Sequence, residues 1–571
     1  MKKLFFLASA LLCGVISASA VDYLVQTGKE GDGKWTEDAI KALNVTTEKV
    51  IDLSKGGTLP TTGEIWFAAG TYDFTAQYAI QAKVVIRGGF AGTETTTTRA
   101  LGESKKPYDF ANATIFNAKP GEAAAVKIFP EQVGGLYIDG ICIKNSAGTG
   151  DVAGVCRLAS GSTVVNCIFE GCSSAKNGGV FVLYNANAKI SNCLFKGNEA
   201  PQGGAMRIGG NAKGYSVTIE NCDFISNKAT GDGGAVFKAN DAVSLSVKGC
   251  SFDGNTAAKG AALAINTTKC AIVSNSTFTN NIATTNGGAL YLVGTDTITI
   301  NGCKMFLNAA KQGSAIYDDA SQVSVITNNV IYNNGAGIEA SNMYPAVTHI
   351  KPLLFANNTI CFNYGRVNVA SNVAKAVVAN NIVWGNKVQA KGSTAETPAF
   401  TSASFNFANA TETTGCTVSN NHAQNEITSN STGNKIVISN NVKITDSKTD
   451  FEAATDTFGV VPAERTAKYE KVLNANFALT SGSQFIDKGI DIVNVATDIL
   501  GTARETGKYD VGAYEFVGGG VGSAFENTEK APLDIQAALQ AGEVYNLLGQ
   551  RVGELQAGNI YIVGGQKVLM Q

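Results

Sequence analysis

A pattern that returns every 26 to 29 residues limits this chain more than any other feature. Its units read NCIFEGC from Asn166, NCLFKGN from Asn192, NCDFISN from Asn221, GCSFDGN from Gly249 and NSTFTNN from Asn275. Gly-Gly-Ala follows several residues after most of them, and the registers continue as GCKMFLN, NNVIYNN, NNTICFN and NNIVWGN. Units of this size cannot bury an apolar face alone, so each must stack on the next in a solenoid.

Within the repeat, an aliphatic position recurs at Val164, Ile190, Ile219, Val247, Val273, Ile300, Ile326, Phe355 and Val378. An aromatic position follows at Phe169, Phe195, Phe224, Phe252 and Phe278. The odd spacing between them cannot stay on one face of a strand, so a bend must intervene. The segments are short, β-branched and punctuated by Gly and Asn, without helical periodicity. An Asn file runs from Asn198 through Asn227, Asn255, Asn281, Asn308, Asn334 and Asn363 to Asn386. Its amides can bond along the stack, and Asn also tolerates left-handed backbone at a turn. Gly178, Gly203, Gly233 and Gly287 supply positive φ or close backbone approach at another corner. Parallel connections are overwhelmingly right-handed. The expected fold class is therefore all-β: a right-handed parallel β-helix of roughly 12–15 rungs, with a small C-terminal β-meander.

The domain expectation is a signal peptide over 1–20, the β-helix over 21–517, a linker over 518–530 and a β segment over 531–571. Lys2 and Lys3, the apolar run Leu4–Ile16 and Ala18-Ser19-Ala20 form an export signal cleaved after Ala20. Leu12 before Cys13 is too bulky for a lipoprotein signal. No later apolar run reaches the ~20 residues of a spanning helix, so no transmembrane span is expected. With a net charge of −2 and no basic run, nucleic acid is not an expected partner. Two histidines, His349 and His422, argue against a His-based metal site, and Cys-x-x-Cys is absent. Cys167, Cys193, Cys222, Cys250 and Cys303 share one repeat position, which predicts a buried file of free thiols.

The Phe-x-x-Asn and Gly-Gly-Ala fragments resemble right-handed β-helix proteins of the pectin-lyase-like superfamily, including polymorphic outer-membrane proteins. GDGKWTEDAIKAL from Gly31, EIWFAAGTY from Glu64 and VVIRGGFAGTET from Val84 are similar to the entry rungs of secreted members. FALTSGSQFIDKGI from Phe477 and TDILGTARETGKYDVGAYEF from Thr497 are similar to their closing segment. The tail from Val544 to Gln571 resembles the C-terminal sorting segment of the type IX secretion pathway of Bacteroidetes. Leu548–Val552, Gly558–Tyr561 and Lys567-Val568 are the matching positions. The resemblance implies secretion machinery as a partner and a location outside the cell or on the outer-membrane surface of a Gram-negative bacterium. A cap over the open edge of the last rung is the less favoured reading of the tail.

Catalysis on such a fold needs a base and a cation for a lyase, or paired carboxylates for a hydrolase. The position after the aromatic reads Glu170, Lys196, Ile225, Asp253, Thr279 and Phe306, which offers no acidic cluster and no catalytic set. Asp318-Asp319 is the sole acidic pair on a well-aligned rung, and its members face opposite ways. Two residues after the Ala of Gly-Gly-Ala come Val182, Arg207, Phe237, Ala264, Tyr291 and Tyr317. Facing outward, Phe237, Tyr291 and Tyr317 would stack sugar rings while Arg207 pairs with a carboxylate, with Asp318 nearby. Covered by a loop or the opposite strand, the same file is structural. The leading expectation is a non-enzymatic surface protein that binds glycan or another surface partner, with no cofactor and no metal. The alternative is a polysaccharide lyase for acidic glycans, its site drawn partly from residues 389–432, and only then would calcium be expected. A passive structural spacer is a third reading.

Overall fold

The computed structural model describes residues 21–517 apart from 120–124, 150–152, 240–242, 267–269, 295, 320–322, 336–346, 351, 366, 371–375, 390–399, 403–404, 409–415, 428–435 and 455–466, and beyond 517 it describes three strands. The leader with its Ala20 boundary, the 518–530 linker and the Leu548–Val552 turn lie outside the described residues, as does much of 389–432. The chain divides between Phe516 and Val517 into two units.

The first unit is a parallel β-solenoid of about 12 turns. One rung shows the course of all. Ala188–Ser191 lies on a first face, Leu194–Lys196 on a second, Glu199–Ala200 on a short third and Met206–Gly209 on a fourth. The faces are parallel sheets of 16, 14, 6 and 11 strands. The aliphatic file pairs in register, Val164 with Ile190, Ile190 with Ile219 and Ile219 with Val247. Phe169, Phe195, Phe224, Phe252 and Phe278 stack with centroids 4.7–5.0 Å apart. Both files are fully buried in one continuous core.

The bend between first and second faces sits on the residue before the cysteine. Asn166, Asn192 and Asn221 have φ of 54°, 54° and 52°, and Gly249 and Gly302 take over where Asn is missing, at 63° and 66°. The repeated Asn file after the aromatic does something else. Asn198 to Asn386 form an amide ladder, and the left-handed residue is the one before each member, such as Gly197, Ser226, Asn280 and Leu307. The left-handed role expected of the ladder Asn therefore belongs to its neighbour, because each ladder amide must point inward to reach the next rung. Asn227 Nδ2 donates to Asn255 Oδ1 at 3.0 Å and to the Phe195 carbonyl at 2.9 Å. The cysteine file is buried and unbridged, and at Asn329, Asn358, Asn381 and Asn421 the same position becomes a second amide ladder. Among the described residues no group of three His, Cys, Asp or Glu could hold a metal.

At the Gly-Gly corner the second glycine is demanded by contact. A Cβ on Gly204 would lie 2.0 Å from the Gly234 carbonyl oxygen. Two segments then cover the second face. Residues 91–113 cross its early rungs, where Tyr108 Oη donates to Asp223 at 2.5 Å, and reach the edge of the first face, where Arg99 pairs with Asp139 at 2.7 Å. Residues 446–454 and 467–516 cover its late rungs, packing Phe451, Phe477 and Phe485 on Tyr332, Phe362 and Trp384. Near the N-terminus a short helix, Glu37–Ala42, is capped by Thr36 and lies against the Trp35–Trp66–Phe90 cluster.

His422, on a late rung, meets Phe485 of the closing segment edge-on at 5.3 Å. Burial pushes its pKa down from 6.5 to about 4. The folded state thus binds a proton less readily than the unfolded chain, so this stability is full above pH 6.5 and is lost as pH falls toward 4, by up to roughly 3 kcal/mol. Glu515 acts in the opposite sense. Burial pushes it up from 4.5 to about 7, so its contribution is present below pH 4.5 and is lost as pH rises through 7. Thermal unfolding between pH 4 and 7.5 should show the acid-side loss in the wild type and not in His422→Phe; equal slopes would count against the assignment.

The second unit contains an antiparallel three-stranded sheet, Val544–Asn546, Ile560–Val563 and Gln566–Leu569. Among the described residues no helix is long and apolar enough to cross a membrane.

Candidate functional site

On the fourth face, strand alternation sends Met206 and Ile208 into the core and Arg207 outward. The register carries that outward position from Arg157 through Val182, Arg207, Phe237, Ala264 and Tyr291 to Tyr317. Four of the residues read from sequence therefore stand in one line outside the core. Tyr291 and Tyr317 stack at 5.4 Å and 23°, and Phe237 joins them and Ala264 in a separate apolar cluster.

This line lies in an elbow. The Gly-Gly corner brings the short third face around toward it, and Asp232, Lys259, Asn286 and Gln312 form the facing line. The Lys259 ammonium sits 5.3 Å from the Tyr291 ring centroid. As a result Phe237, Tyr291 and Tyr317 are only 4%, 9% and 7% exposed. The aromatic strip is a narrow seam with long polar side chains over it, not an open platform. Burial raises the pKa of Asp232 despite nearby Lys259, which fits a desolvated elbow.

Asp318 requires a correction. It pairs in register with Leu292 and belongs to the inward line of the same sheet. It is fully buried and accepts a hydrogen bond from Ser324 Oγ at 2.6 Å. Alternation puts it on the opposite side of the strand from Tyr317, so it cannot touch a ligand in the elbow. Lys238 occupies the same inward line and donates to the Ala239 carbonyl at 3.1 Å. Neither residue is available for surface chemistry.

Sequence reading missed Arg157, because its rung lacks the full Gly-Gly-Ala signal, and Lys259, whose position precedes a Gly-Ala pair. Arg157 could have been found by extending the register one unit toward the N-terminus, and Lys259 by aligning the residue before each Gly-Gly or Gly-Ala pair. The coverage by Lys259 could not, since it depends on the angle between two faces.

Residues 110–278 match the family model described as right handed beta helix region. The fold is a right-handed parallel β-helix. The metabotropic glutamate receptor-like protein R of Dictyostelium discoideum is 23% identical over 336 residues, covering 55% of this chain and 20% of that protein. The chain thus spans about a fifth of that relative's length. Among solved structures, pectate lyase Pel9A is similar over 87% of this chain and 97% of its own, at 14% identity and a TM-score of 0.27. A mannuronic acid specific polysaccharide family 6 lyase from human gut microbiota is similar over 73% and 94%, at 12% identity and a TM-score of 0.26.

Proposed function

We propose that this protein is an exported, non-enzymatic β-helix that holds a glycan, or the glycan of a surface partner, in the elbow of its fourth face. The observation that carries the reading is the stacked Tyr291–Tyr317 pair standing outside the core in line with Arg207. Aromatic faces take sugar rings by apolar contact, and an arginine takes their carboxylates. Lys259 covers Tyr291 with a flexible stem, so a sugar can enter by swinging one side chain aside. The leader and the sorting-like tail support export through secretion machinery to the cell surface or the medium. Mass spectrometry of the secreted form tests whether the tail is removed.

The binding test uses immobilised glycans and two variants. Tyr291→Ala with Tyr317→Ala should weaken retention about thirtyfold without unfolding the solenoid, since stacking contributes about 1 kcal/mol per ring. Lys259→Ala should tighten it by uncovering the ring. Retention unchanged in both would dispose of the elbow as the site. Growth of ultraviolet absorbance from unsaturated products on uronate polymers would replace this reading with a lyase.

A further inference from the structure

The second face carries an outward line of its own. Cys142, Ile168, Leu194, Asp223, Ser251 and Thr277 follow one another in register and face away from the core. The first three are apolar and the last three polar, so the line changes character at one place. The hairpin of residues 100–111 ends at that same place. Its base lies at the Cys142 rung, where a Cβ on Gly140 would meet the Phe110 ring at 3.0 Å. Its tip lies on Asp223, three rungs further, ~14 Å at the spacing of parallel strands. The hairpin thus spans the apolar stretch and no more. Beneath it Cys142 is 7% exposed although it faces outward, and Ile168 and Leu194 are half-buried.

The hairpin is well bonded within itself and loosely held from outside. Leu101 bridges Phe110, the Gly102 N–H donates to the Asp109 carbonyl at 2.6 Å, and the Asp109 carboxylate accepts from Ser104 Oγ at 2.6 Å. No residue from 101 to 110 is buried. At the base, Arg99 donates to the Gly88 carbonyl at 2.6 Å and stands 4.4 Å from the Phe110 ring centroid. At the tip, Tyr108 Oη donates to Asp223 at 2.5 Å, and the Lys106 ammonium is 3.5 Å from the same carboxylate. Among the described residues no other hydrogen bond or ion pair ties residues 100–109 to the solenoid. The closing segment differs, because it sinks Phe477, Phe485, Val511 and Tyr514 into a core. A segment with few buried contacts opens at low cost while the rest stays folded.

We propose that residues 100–111 form a hinged cover, pivoting at Arg99 and latched by Tyr108 on Asp223, which opens as a unit. Opening bares an apolar strip of Cys142, Ile168 and Leu194 beside the charged line of Lys144, Glu170 and Lys196, and closing removes it. The cover lies on a different face from the elbow and does not depend on the glycan reading.

Cys142 reports the motion. Burial pushes its thiol up to about 12, so the closed state alkylates poorly and the open state returns it to water. Iodoacetamide labelling of the full chain, followed peptide by peptide in a mass spectrometer, should modify Cys142 well before Cys167 and Cys193 of the core file. The rate then tracks the open population. Tyr108→Phe and Asp223→Ala should each raise the Cys142 rate at least about tenfold, the size of one hydrogen bond to a charged group. The double variant should add nothing more, since both changes remove the same bond. The Cys193 rate and the melting temperature should stay where they are. Labelling of Cys142 in step with Cys167 in the wild type would mean that whole rungs open, and would overturn the proposal. So would a Cys142 rate that neither variant alters, effects that multiply in the double variant, or a rise shared by Cys193.

Discussion

Asn281→Leu should destabilise the middle of the solenoid by about 4 kcal/mol although the two side chains have nearly the same volume. Asn281 Nδ2 donates to Asn308 Oδ1 and to the Phe252 carbonyl, both at 2.9 Å. Its Oδ1 accepts from the Asn255 backbone N–H at 3.1 Å and from Asn255 Nδ2 at 2.9 Å. Leucine leaves the Asn255 N–H and the Phe252 carbonyl buried without partners, at about 1–3 kcal/mol each. Rungs interact mainly with their neighbours, so the loss should be local. Hydrogen exchange should rise in the rungs of Asn255 and Asn308 before those of Phe169 or Asn386. Asn386, the last member of this ladder, accepts from the Asn363 backbone N–H at 2.8 Å and from Asn363 Nδ2 at 3.0 Å and donates to the Ile360 carbonyl at 2.8 Å, so Asn386→Leu orphans the same two kinds of backbone group and should cost about as much. A negligible effect at both positions would mean that the ladder contributes little beyond volume.

Arg504→Met should release the closing segment, at a cost of about 3–5 kcal/mol, because it strips a buried charge network of its cation. Arg504 is paired with Glu515 and bonds Asn328 Oδ1 at 2.9 Å and the Gly512 carbonyl at 3.0 Å. Asp498 and Asp510 stand beside it. Without the guanidinium, these buried carboxylates face one another. Glu515, already held up to about 7 by burial, would then rise further. The variant should be weakest at pH 8 and partly recover at pH 5, where protonation neutralises Glu515. Limited proteolysis at the two pH values reads this directly. Cleavage within 467–516 that is insensitive to pH would refute the network.

The solenoid was legible because its period is written in chemistry that only stacking can satisfy. Val164 through Val378 and Phe169 through Phe278 fall into register as the spacing demands. The error over left-handed residues has a definite origin: Asn occurs both at the bend, as in Asn192, and in the ladder, as in Asn198, and only backbone geometry tells them apart. Alternation placed Arg207, Phe237, Tyr291 and Tyr317 on one face of their strands but left open whether that face was covered. That rule also separates Asp318 from Tyr317, but an acidic residue in an inward position contradicts the hydrophobic pattern by which inward positions are recognised. How far the elbow closes over Tyr291 was not legible, because Lys259 reaches it from a different face. Nor was the contact of Tyr108 with Asp223, made across 115 residues.

Every amide of the long Asn ladder points the same way, its NH2 toward the C-terminal rung and its carbonyl oxygen toward the rung before. Their dipoles add head to tail, as peptide dipoles do in a helix. The spindle is therefore electrically polar along its length, and any junction between rungs presents the same donor on one side and acceptor on the other. A duplicated unit that keeps its Asn can be spliced in at any such joint, which gives this architecture a way to change length in whole turns without redesigning its interior.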